Sequence, residues 1–140
     1  IELEGLVGDD PRPYSVAITA DAAGTLILDP APLIAQIVAD LRAGIPVSSL
    51  AAGFHAAVAE TLLTVCERLR AAGHGSTVAL SGGVFQNVRL LDLLVRGLRD
   101  HDFTVLVHRI VPSNDGGLAL GQAVIGGKRL SLGQQDKTVT

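Results

Sequence analysis

The 140-residue sequence contains no methionine and no tryptophan, one tyrosine, three phenylalanines and a single cysteine. With Cys66 alone there is no intrachain disulfide and no thiolate zinc site, which favours a reducing, cytoplasmic setting over secretion. So few aromatic side chains exclude a base-stacking platform for single-stranded nucleic acid. Positive charge is not in excess either. Eleven Lys and Arg against fourteen Asp and Glu leave a net charge of −3, which argues against a nucleic-acid partner. No apolar run reaches about 18 residues, and residues 1–10 lack the basic start and apolar middle of a signal peptide, so no membrane partner is expected. A chain that opens Ile1-Glu-Leu-Glu4, without a methionine, is expected to be cut from a longer one.

What is present forms a core. Hydrophobic residues make up 48% of the chain and charged residues 18%, which excludes disorder by composition. The length suits one domain, since most run to about 100–200 residues, and two independent cores are not expected.

Between Tyr14 and Leu28, two short apolar runs flank Asp21-Ala-Ala-Gly24, the pattern of a hairpin. Asp29 offers an N-cap carboxylate and Pro30 suits a first helical position. Leu33, Ile34, Ile37, Val38 and Leu41 then recur at helical spacing until Gly44 and Pro46. A longer helix is expected from Ser49 to Ala72, with Phe54, Val58, Leu62, Val65 and Leu69 on its apolar face and Gly73 as terminator. Thr77-Val-Ala-Leu80 is apolar without alternation, as in a strand covered on both faces. After Gly83, Val84, Val88, Leu91, Val95 and Leu98 mark a helix, with Asp92 four residues before Arg96 on its wet side. Thr104-Val-Leu-Val107 repeats the strand pattern. Strand, helix, strand is a βαβ unit, so the two strands should be parallel. A last helix is expected from Asp115 to Ile125, ending at Gly126-Gly127, with residues 127–140 as a flexible tail.

Ligands of parallel sheets collect outside the carboxyl ends of the strands. Here strand 77–80 leaves through Ser81-Gly82-Gly83, and strand 104–107 leaves through Val111-Pro-Ser-Asn-Asp-Gly-Gly117. Glycine admits a ligand close to the backbone, and free N–H groups at a helix start attract an anion. A phosphorylated ligand between the two loops is the physical expectation, against the plainer reading that each Gly-Gly packs a tight turn and Ser81 caps a helix. Asp115 has two readings as well. A carboxylate beside a helix N-terminus is favoured electrostatically, and carboxylate oxygen also binds magnesium, zinc or iron. In the second case Asn114 and Ser113 are left to cap.

No two of His55, His74, His101 and His108 stand at the i, i+4 spacing of a helical metal pair, so a self-contained metal site is not expected. His74 and His101 read as solvated linker residues, His55 as a packed or hydrogen-bonded one, and Cys66 as an inert packed thiol. Ser81 with His108 and Asp115 is a conceivable nucleophilic set. The Gly-x-Ser-x-Gly elbow is absent, however, with Ala79 in place of its first glycine, and this disfavours a small freestanding hydrolase.

Val78-Ala-Leu-Ser-Gly-Gly-Val-Phe-Gln-Asn87, followed by Val111-Pro-Ser-Asn-Asp-Gly-Gly-Leu-Ala-Leu-Gly-Gln122, resembles the C-terminal part of the HypF family of hydrogenase-maturation carbamoyltransferases. Ile1-Glu-Leu-Glu4 and Gly53-Phe-His55 extend the likeness to about residues 1–125. The resemblance implies an α/β fold, one lobe of an actin-like ATPase (ASKHA) domain that is also TsaD-like. On it, residues 1–126 are the C-terminal lobe of that domain. It implies carbamoyl transfer in which carbamoyl phosphate and ATP give a carbamoyl adenylate, whose carbamoyl group passes to the C-terminal cysteine of the partner HypE on the way to a cyanide ligand of [NiFe]-hydrogenase. It places Gly82 and Gly83 against the nucleotide, with Asn87, Asn114 and Gly116 close by. Asp115 becomes a ligand of a divalent metal, iron or zinc, completed by histidines outside this chain in the remainder of the HypF polypeptide. Position 113 is Ser where the family pattern has a second Pro. The piece alone is expected to be inactive. A non-catalytic interaction module is the competing reading.

Overall fold

A computed structural model describes residues 2–135; Ile1 and residues 136–140 lie outside the described part. The elements in chain order are α1 (Glu2–Gly5), β1 (Ala17–Ala20), β2 (Leu26–Asp29), α2 (Ala31–Arg42), α3 (Val47–Ala71), β3 (Thr77–Leu80), α4 (Val88–Asp100), β4 (Thr104–Val107) and α5 (Leu118–Gln135). The chain forms two compact units where composition suggested one core. Among the described residues, the first comprises 2–79 and 87–106, the second 80–86 and 107–135.

In the first unit, β1 and β2 form the expected hairpin, antiparallel with Ala17 opposite Asp29 and Ala20 opposite Leu26. Asp21 makes the turn, its Oδ1 accepting from the N–H groups of Ala23 and Thr25 at 2.8 Å each. Gly24 supplies a φ of +84°. Asp29 Oδ1 accepts from Ala31 N–H at 2.9 Å and so starts α2, although Pro30 takes the cap position. Tyr14, Leu33, Leu50 and Ala57 form a buried cluster, with Val16, Ile37, Ile45 and Phe54 packed around it. Above the cluster, Asp40 accepts from Tyr14 Oη at 2.8 Å and from Arg12 Nε at 2.9 Å.

The buried face of α3 differs from the one its large apolar residues suggest. Leu50, Ala51, Ala52, Gly53, His55, Ala57, Ala59 and Thr61 are buried, whereas Phe54, Val58, Leu62 and Val65 are half-buried and Leu69 is exposed. Close approach selects small side chains: a Cβ on Gly53 would lie 2.6 Å from Arg12 O. With a mean hydropathy of 1.4 in its most apolar window, α3 is long and apolar enough to cross a membrane by length and composition alone. Its 44% burial there fits a core helix equally well.

Helix α3 packs on α4. A 3₁₀ turn, Gly83–Gln86, follows β3, and α4 begins only after it, at Val88. The helix expected straight after Gly83 is therefore displaced by a turn, and its buried residues are Leu90, Leu94 and Leu98, with Val84 and Val88 exposed. Asp92 and Arg96 form the expected i, i+4 ion pair. At the far end Arg70 stacks over Phe103, 4.2 Å from its ring centroid, and donates to His101 O at 2.7 Å, while His101 Nδ1 meets Glu67 Oε1 at 2.6 Å.

Strands β3 and β4 pair in parallel as a two-stranded sheet. In the second unit, α5 runs through Gly126-Gly127 to Gln135. Residues 127–135, expected as tail, are thus helical; the remainder of that stretch lies outside the described residues. A glycine pair costs helix propensity but does not stop a helix without a breaking residue, and Lys128-Arg129-Leu130 are good formers.

Candidate functional site

The exits of the two parallel strands meet in the second unit. Leu80, the last residue of β3, is buried, and the chain turns at Gly82 with φ of +107°, a conformation that side chains resist. Gly82 N–H donates to Ser113 O at 2.7 Å, tying the loop after β3 to the loop after β4. Phe85 N–H returns to Gly82 O at 3.1 Å and closes the 3₁₀ turn.

In the second loop Asn114 is the cap, as one reading of Asp115 required. Its Oδ1 accepts from Gly116 N–H at 3.0 Å, and Gly117 N–H donates to Asn114 O at 3.0 Å. Asp115 opens a second 3₁₀ turn, Asp115–Gly117, with its side chain exposed.

The four loop glycines separate by what a side chain would meet. A Cβ on Gly117 would lie 2.8 Å from Pro112 O, and one on Gly116 would lie 3.1 Å from Asn114 Oδ1. The tight-turn reading accounts for that pair. Gly82 is explained by its φ. A Cβ on Gly83 would meet nothing within 4 Å beyond its chain neighbours, so packing gives no reason for glycine there.

A crevice of about 320 Å³ opens between the loops, lined among others by Ser81, Gly82, His108, Asn114, Asp115 and Gln122. Gly82, Asn114 and Asp115 are thus brought to one place; Gly83 and Gly116 are not in its lining. Ser81 Oγ and His108 Nε2 are 2.9 Å apart. No group of three His, Cys, Asp or Glu side chains suited to a metal occurs among the described residues. Asp115 is the one carboxylate in the crevice lining, fewer than the three protein ligands a zinc site needs.

Asn87, in the first unit, has a structural task the sequence did not disclose. Its Oδ1 accepts from Leu90 N–H at 2.9 Å as the N-cap of α4, and its Nδ2 lies 2.8 Å from His55 Nε2. His55 is 2% exposed, and its Nδ1 lies 2.7 Å from Ala51 O. A carbonyl can only accept, so the Nδ1–H tautomer donates there and Nε2 accepts from Asn87. The remaining early N–H groups of α4 are also engaged: Glu4 Oε1 accepts from Val88 N–H at 2.7 Å and from Arg89 N–H at 3.3 Å. The start of α4 therefore holds side-chain caps, not free donors for a phosphate. Nothing local in the sequence signals a cap 84 residues away. Cys66 is half-buried, and burial pushes its thiol up, as suits an inert packed residue.

A parallel strand pair with glycine turns at both exits, preceded by a hairpin and two helices, is the architecture of a Kae1-like lobe of the actin-like ATPase fold. Residues 1–122 match the family described as carbamoyltransferase, Kae1-like domain, second subdomain. The chain belongs to that family, the HypF carbamoyltransferases. It is 41% identical over 103 residues, 74% of its length, to carbamoyltransferase HypF of Rhodobacter capsulatus. It is similar to full-length HypF crystallised in a phosphate- and nucleotide-bound form, with 36% identity, a TM-score of 0.85 and 92% of this chain covered. The HypF of T. kodakarensis gives 26% identity, a TM-score of 0.70 and 93% coverage. The chain spans 13% of the length of the first of these relatives, and 17% and 16% of the two solved chains.

Proposed function

We propose that this chain supplies one wall of a carbamoyltransferase site, in which carbamoyl phosphate and ATP give a carbamoyl adenylate and the carbamoyl group passes to the C-terminal cysteine of HypE in a cytoplasmic reaction. What carries the reading is the crevice at the strand exits, where a hydrogen bond ties the two glycine loops together with Asp115 beside it. It is supported by a HypF relative crystallised with phosphate and nucleotide. Gly83 then gives the nucleotide room, while Gly82, Asn114 and Gly116 shape the loops around it. Asn87 holds the start of the helix that follows the first loop.

Asp115 is one ligand of a divalent metal that neutralises phosphate charge when bound, the others being histidines outside this chain. One carboxylate and one wall do not make a complete site, so the 140 residues alone bind nucleotide weakly and transfer nothing. The decisive comparison is ATP-dependent carbamoyl transfer in a full-length HypF containing this segment, with and without Asp115→Ala. Loss of transfer with the fold intact supports the assignment, and full activity removes it.

A non-catalytic interaction role has one observation in its favour. Leu118, Leu120, Val124, Ile125 and Leu130 on α5 are all at least half exposed. Retained assembly of an Asp115→Ala protein without transfer activity would separate this contribution from catalysis.

A further inference from the structure

Ser81 and His108 both line the crevice, and their 2.9 Å contact raises the question of what a serine–histidine pair does there. A nucleophilic role needs a third group to orient the imidazole. Among the described residues no carboxylate hydrogen-bonds to His108, and Ala79 denies Ser81 the sharp elbow that exposes a nucleophile.

The hydrogen count points elsewhere. In two of the three states of His108, the imidazolium and the neutral Nε2–H tautomer, Nε2 donates and Ser81 Oγ accepts, which leaves the hydroxyl proton free to enter the crevice. Only the neutral Nδ1–H tautomer reverses the bond. Both side chains are exposed, so no buried partner fixes that reversed form among the described residues. Asn114, Ser113 and Gln122 also bring donor side chains to the crevice, whereas the backbone donors of the two loops are engaged and the carboxylate has the wrong sign for an anion. Gly82 N–H is given to Ser113 O, Gly116 N–H is given to Asn114 Oδ1, and Asp115 is a carboxylate.

We propose that Ser81 is a direct hydrogen-bond donor to a phosphoryl oxygen in this crevice, and that His108 is the positioning residue that turns its hydroxyl proton toward the ligand. This rests on the nucleotide reading above and adds two side chains to it. The shared chemistry is a phosphoryl oxygen, whether it belongs to a nucleotide or to a free acyl phosphate.

The test is a binding series on the chain, monitored by NMR, with ATP, inorganic phosphate and phosphate-free adenosine as probes. Ser81→Ala and His108→Ala should each weaken ATP by about threefold to tenfold, the range of one hydrogen bond, and the double variant should be no weaker than either. His108→Gln, whose amide can donate from a similar place, should restore most of the loss, and adenosine should respond to none of them. Equal losses for inorganic phosphate would mark a free phosphoryl group as the ligand, and losses confined to ATP would mark the nucleotide; either supports the pair. ATP binding unchanged in His108→Ala, additive losses in the double variant, or an Nδ1–H tautomer by nitrogen NMR overturns the pair alone. Failure of the unaltered chain to bind either ATP or phosphate, with the donor tautomer intact, overturns the nucleotide reading and takes this role with it.

Discussion

The carboxylate of Glu4 accepts a hydrogen bond from the backbone N–H of Val88 at 2.7 Å, joining the first helix to the start of α4 across 84 residues of chain. With Asn87 it leaves the first turn of α4 filled. The N–H groups at the start of α4 are therefore not free to receive an anion.

Replacing Glu4 with Ala should therefore destabilise the fold by about 1 kcal/mol, the usual worth of a helix cap with its favourable charge. Chemical denaturation of both proteins checks this, and an unchanged midpoint would show that the contact contributes nothing.

His55 has both ring nitrogens committed, one to Ala51 O and one to Asn87 Nδ2. In His55→Leu the half-buried Asn87 amide loses its acceptor and the Ala51 carbonyl loses its side-chain donor, and the expected cost is about 1 kcal/mol. Thermal unfolding should show the loss, and a stability equal to the parent would show that the two bonds add nothing net to the fold.

The loop glycines should respond differently to substitution. Gly117→Ala meets Pro112 O at 2.8 Å and should cost about 1–3 kcal/mol of stability. A Cβ on Gly83 meets nothing within 4 Å, so Gly83→Val should fold normally, yet weaken nucleotide binding. Circular dichroism melts alongside ATP titrations separate the two, and a folding collapse in Gly83→Val would return that glycine to the tight-turn reading.

Hydrogen bonds from Arg12 and then Tyr14 hold the Asp40 carboxyl below the usual carboxylate range. A depressed folded-state value means the unfolded chain binds the proton first as pH falls. The contribution is fully present above the ordinary Asp value of about 3.9 and is lost as pH drops through the lower folded value. Asp40→Asn should be less stable at neutral pH and should show a shallower decline in acid. Parallel acid limbs for the two proteins would remove Asp40 as a source.

Local signals carried much of this structure. Asp21 with Gly24 announced the hairpin, and Gly44 with Pro46 announced the break between α2 and α3. The apolar runs 77–80 and 104–107 announced paired strands, but not strands covered on both faces: Thr77, Ala79, Thr104 and Leu106 are exposed, because the described residues cover only one side of the pair. The misread features are those decided by distant partners. Helix α3 buries Gly53 where the Arg12 backbone and the Tyr14 ring press against it, and Ala57 in the cluster with Tyr14, while its larger residues are left half-covered. The α4 caps from Glu4 and the His55–Asn87 bond join residues 32 to 85 positions apart, beyond any local pattern. In the candidate site, the glycine loops and Asp115 were legible from spacing. The Ser81–His108 contact was visible only as a pair of residue types, and its 2.9 Å geometry required the fold.

The central claim is that phosphate binds where the two strands end. The most direct measurement is a ¹⁵N-correlation NMR titration of the 140-residue chain with magnesium ATP. Weak binding is expected, with shifts confined to Ser81–Gly83, His108 and Ser113–Gly117 and none in the hairpin or α2. Saturable shifts clustered on α2, α3 or the hairpin, with the two exit loops unmoved, would contradict it.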